Sequence, residues 1–64
     1  MIFTVIERAR RRDDVVAAYA DELRNDFYNP HEWRRINMAI VDKWSEAGLR
    51  YIKGRAWQLL REGP

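Results

Sequence analysis

Apolar residues recur along this chain at helical rather than alternating spacing. Trp33, Ile36, Ile40 and Trp44 follow one another at intervals of three, four and four, flanked by Asn37 and Val41. His31, Arg34, Arg35, Met38 and Asp42 take the opposite side. Side chains three or four apart share a helix face, so this run predicts a helix over about 30–44 with a core stripe. Its start is signalled locally. Asn29 can cap, Pro30 suits the first helical position where its missing N–H costs nothing, and Glu32 stands in the first turn. Pro30 also pushes Asn29 off helical backbone and so closes whatever precedes it.

Upstream, Val16, Tyr19, Ala20, Leu23 and Phe27 form a second stripe, and Val5 and Ala9 continue it backwards in phase. Thr4 followed by Glu7 has the form of a capping box. The expectation is one long helix over about 4–27. Arg12 falls on its apolar stripe and speaks for a rival, in which the helix starts at Asp13 after an irregular or β-like segment. Downstream, Leu49, Ile52, Ala56, Leu59 and Leu60 share a face with Trp57 at its edge, which predicts a third helix over about 46–61 with Ser45 as cap. A second possibility carries the middle helix on to Ala47 and ends it at Gly48. With no Asn-Gly or Asp-Gly turn and no alternating run, strands are not expected. The fold class is therefore all-α: one domain over 1–64, a small three-helix bundle with a long first helix and short connections. Its expected core is Val16, Leu23, Phe27, Trp33, Ile36, Ile40, Trp44, Leu49, Ile52 and Leu59.

Composition narrows the function classes. Sixty-four residues make one small domain that buries only about 60% of its unfolded surface, so a partner that covers a second face would help it. The absence of cysteine excludes a disulfide scaffold, a thiolate metal site and a cysteine nucleophile. No apolar run approaches the roughly 18 residues of a membrane span, and the short apolar start before Arg8 lacks the leading charge of a secretory signal. A cytoplasmic protein that uses no membrane is expected.

Catalytic chemistry finds few residues. Thr4 and Ser45 are the only hydroxyls besides the tyrosines, and both suit helix caps. His31 is the only imidazole, and on a helix it points about 100° away from Glu32, a poor chelate. Asp13, Asp14, Asp21, Glu22 and Asp26 are spread as a solvated face, and no glycine-rich phosphate loop occurs. No catalytic residue, metal, cofactor or small-molecule substrate is expected, and a non-enzymatic binding protein is.

Two kinds of partner suit the remaining residues. The first is another protein, or a second copy of this one, met by an adaptor- or inhibitor-like module. Its candidate interface is Arg8, Arg10, Arg11, Arg12, Met38 and Trp57, with a homodimer expected at micromolar concentration through the N-terminal part of the first helix and the Trp57 edge. The second is nucleic acid, read by the third helix in helix-turn-helix fashion through Arg50, Tyr51, Gly54, Gln58 and Arg61. Residues 29–64 carry seven basic against four acidic side chains, net +3, whereas 1–28 carry five against six, net −1. Gly54 inside a helix costs about 1 kcal/mol against Ala, so a close approach there would explain it. A connection at Trp44-Ser45 is short for a helix-turn-helix, and protein binding stands ahead. The pattern Asn29-Pro30-x-Glu32-Trp33-x-x-Ile36-Asn37, then Trp44-Ser45 and Leu49-x-x-Ile52-Lys53-x-x-Ala56-Trp57, resembles small open reading frames of phages and prophages. That resemblance covers residues 29–64 and implies no activity.

Overall fold

The computed structural model describes residues 1–25 and 29–63. Three helices form an all-α bundle: α1 (Ile2–Arg8), α2 (Asp13–Arg24) and α3 (Pro30–Glu62), with no strand among the described residues. Asn29 caps α3 as its sequence implies, its side-chain oxygen accepting from the N–H of His31 at 3.0 Å and of Glu32 at 3.2 Å.

The expected helix over 4–27 is broken into α1 and α2. The Asp14 carboxylate accepts hydrogen bonds from the N–H groups of Arg10 (3.1 Å) and Arg11 (3.0 Å), and Ala9 turns to extended backbone at ψ 137°. This turn removes Arg12 from the apolar stripe and places Asp13 and Asp14 at the positive end of α2. The rival start at Asp13 is thus observed, but the segment before it is helical. Thr4 caps nothing, because α1 begins at Ile2 with Met1 as its N-cap. With the phase broken, α1 buries Ile2 and Ile6, where an unbroken stripe would have buried Val5. α2 ends at Arg24, and the expected core residue Phe27 lies outside the described residues.

α3 is interrupted where the middle and third helices were expected to meet. Ser45 has φ 69° and ψ 177°, which breaks the helical path between 30–44 and 46–62. A straight helix of 33 residues would be about 50 Å long, yet the longest extent of the molecule is 29 Å. The two arms therefore fold back on each other. Trp33 and Asn37 meet Lys53 and Trp57 in one groove, residue pairs equidistant from Ser45.

Both arms close on α2. Val15, Tyr19 and Ala20 share a core with Ile36 and Ile40 of the first arm and Ile52 and Ala56 of the second. Trp33 meets the Tyr19 ring edge-on at 5.1 Å, and the Tyr19 hydroxyl donates to Asn37 Oδ1 at 2.8 Å. Of the expected core, Val16, Ile36, Ile40 and Ile52 are buried, while Leu23, Trp33, Trp44 and Leu49 are half-buried against it. Leu59 is exposed, and Ala56 takes its place inside.

Candidate interaction face

The outer surface of 46–62 carries an exposed aromatic side chain. Trp57 is 48% exposed and stands between two grooves. The first, about 450 Å³, is lined by Glu46, Leu49, Arg50, Lys53, Gly54 and Trp57. The second, about 390 Å³, runs between the arms of α3 and α2 and shares Lys53 and Trp57 with the first. At 100° per residue, Glu46, Arg50, Lys53, Gly54, Trp57 and Arg61 fall within one sector about 100° wide. Leu49 forms the groove's inner wall, where the face meets the core. Nothing lies within 4 Å of where a Gly54 Cβ would stand, so the floor of the groove at that position is bare backbone.

The structure sorts the expected contact residues. Arg50, Gly54 and Trp57 come together in the first groove, and Arg61 lies exposed on the same side of the helix. Tyr51 is drawn away from it: its hydroxyl donates to Asp13 Oδ1 at 2.6 Å and the Arg12 guanidinium stacks 4.2 Å from its ring centre. That hydrogen bond holds the Tyr51 pKa above its ordinary value. Gln58 accepts from Arg55 at 3.4 Å.

The arginine run does not form one site. Arg8 ends α1, Arg10 and Arg11 spend their backbone N–H groups on Asp14, and Arg12 packs on Tyr51 beside Gly48. Besides those backbone bonds, Asp14 makes a loose contact of 3.9 Å with the Arg11 guanidinium. Met38 is 55% exposed on the outer side of 30–44 and lines neither groove at Trp57. Leu49, expected in the core, also lines the groove, while Lys53 and Glu46 complete the face and escaped the sequence reading. The spacing of Glu46, Arg50, Lys53 and Trp57, four then three then four, is the signal that would have found them.

Among the described residues no three His, Cys, Asp or Glu side chains gather as a metal site would require. No helix among them is long and apolar enough to cross a membrane. No family model, no curated protein and no solved structure matches this chain.

Proposed function

We propose that this chain is a non-enzymatic protein-interaction module of the cytoplasm, binding through the outer face of 46–62. One observation carries the reading: Trp57, half exposed, is a ridge between two grooves. A tryptophan flanked by concave apolar surface is the usual anchor of protein interfaces, where a few aromatic and arginine side chains supply most of the binding energy. Arg50 and Lys53 beside it add charge that selects a partner more than it strengthens one. A chain without cysteine suits a reducing compartment.

Reading of nucleic acid by this helix is the weaker alternative. Tyr51, one of its expected contacts, is bonded to Asp13 and covered by Arg12, and Glu46 puts a carboxylate into the groove. The break at Ser45 is a single residue, where a helix-turn-helix needs a turn of about 3–4.

Affinity capture from the native host, with and without nuclease, tests the choice when parent and Trp57→Ala are compared. A protein band that survives nuclease and disappears with Trp57→Ala is the expected result. Loss of all captured material with nuclease would contradict it and favour nucleic acid. Trp57→Ala removes an exposed side chain, so its circular dichroism should match the parent.

A further inference from the structure

We infer that the Trp57 face pairs with the same face of a second copy in antiparallel register, an inference that rests on the interaction reading above. The pattern of side chains along the face is self-complementary in one alignment. When two copies of 46–62 run antiparallel about a point between Lys53 and Gly54, Glu46 stands opposite Arg61 of the second copy. Arg50 then stands opposite its Trp57, and Lys53 opposite its Gly54. A two-fold axis makes each of these pairs occur twice.

Each pair has a physical basis in what the monomer displays. Glu46 and Arg61 are both exposed and sit at opposite ends of the arm, so an antiparallel neighbour brings carboxylate to guanidinium at both rims. Arg50 meets an exposed indole, the preferred ring for a stacked guanidinium. Gly54 offers open space where a side chain would hold the second backbone off, and the aliphatic stem of Lys53 fills that space with its ammonium in water.

The charge on the face selects this alignment. Glu46, Arg50, Lys53 and Arg61 sum to +2 on each copy, and a parallel pairing would set Arg50 and Arg61 against themselves. The antiparallel alignment sends the two Arg50 guanidinium groups onto the two indole rings and the two Arg61 onto carboxylates, and it leaves the Lys53 ammonium groups in water. One helix face is smaller than the about 1,200–2,000 Å² that stable complexes bury, so the dimer is weak and reversible. The arginine run at Arg8–Arg12, assigned to the dimer contact from the sequence, has no part in it.

Sedimentation equilibrium of the full chain, from micromolar to millimolar, reads the association directly. The parent should rise from 7.7 kDa toward twice that mass. Glu46→Arg alone and Arg61→Glu alone should each move the association at least about tenfold up in concentration, because each sets like charges together twice. Glu46→Arg with Arg61→Glu in the same chain should restore it, since both rim pairs are then reversed. Circular dichroism confirms that each variant is folded. A parent that stays at 7.7 kDa to millimolar, or a double variant no tighter than the single ones, overturns the second copy as partner. Trp57-dependent capture of a different protein in that case would leave the interaction reading standing. Loss of both would remove it as well.

Discussion

Three positions in α3 carry backbone demands that their residues meet unequally. Ser45 occupies a positive-φ region that residues with a side chain enter at a cost of about 1–3 kcal/mol. Ser45→Gly should therefore stabilise the fold by about 1 kcal/mol, read as a higher urea midpoint at unchanged slope. Gly48 has the opposite need. A Cβ there would overlap the Cβ of Trp44, so Gly48→Ala should destabilise by about 1–3 kcal/mol despite the better helix propensity of Ala. Gly54 faces open space, and Gly54→Ala should stabilise the monomer by about 0.5–1 kcal/mol in dilute solution. Equal effects at Gly48 and Gly54 in urea melts would contradict this contrast. The cost of Gly54 was legible in the sequence, because a glycine in a helix interior is unfavourable wherever it sits. The need for Gly48 was not, because it follows from the kink that brings Trp44 over it.

At the scale of elements, α1 is too short to be stable alone, since helices under about 12 residues are marginal in water. Ile2, Ile6 and Ala9 bury it, and Lys43 closes its C-terminal end by donating to the carbonyls of Ile6 at 2.8 Å and Glu7 at 3.1 Å. A cation on the last carbonyls of a helix also complements its negative end. Lys43→Met should speed amide exchange in α1, at Ile6 and Ala9, with about 1 kcal/mol lost locally and α2 left protected. Exchange that rises equally in α2 would show that α1 does not open by itself. The break after α1 was half legible. Arg12 on an apolar stripe marked the conflict, but Val5 and Ala9 stayed in phase with α2, so periodicity could not locate the turn. What makes it is the Asp14 side chain reaching back to the N–H groups of Arg10 and Arg11, a contact that spacing does not reveal. The kink in α3 was more legible, since stripes over 30–44 and 46–61 each ended at Trp44-Ser45.

For the whole molecule, pH tests how tightly the arms of α3 close on α2. Burial pushes the Tyr19 hydroxyl up to about 12 from an ordinary 10. A tyrosine that holds its proton more tightly when folded contributes full stability below about pH 10 and loses it as pH rises through about 12. The stability gap between parent and Tyr19→Phe should therefore narrow over this window in alkaline urea melts. A constant gap would place Tyr19 in water. Tyr51, raised mainly by its bond to Asp13, adds to the alkaline loss. Asp14 acts at the other end. The N–H of Arg11, then that of Arg10, hold its pKa below 3.8, so the stability it gives is present above that pH and lost as pH falls through the folded value. The face of 46–62 was only partly legible. Trp57 and Gly54 stood out by residue type, whereas Glu46 and Lys53 show only in their spacing with Arg50 and Trp57, and the second groove, which Lys53 also lines, exists only when the arms fold back.

Amide and indole proton–nitrogen spectra, recorded on the parent chain from micromolar to millimolar concentration, test the pairing of that face with a second copy most directly. Concentration-dependent shifts should gather at Arg50, Lys53, Gly54 and the Trp57 indole, with Arg8–Arg12 and Met38 unmoved. Spectra that do not change with concentration, or shifts centred on Arg8–Arg12, would contradict it.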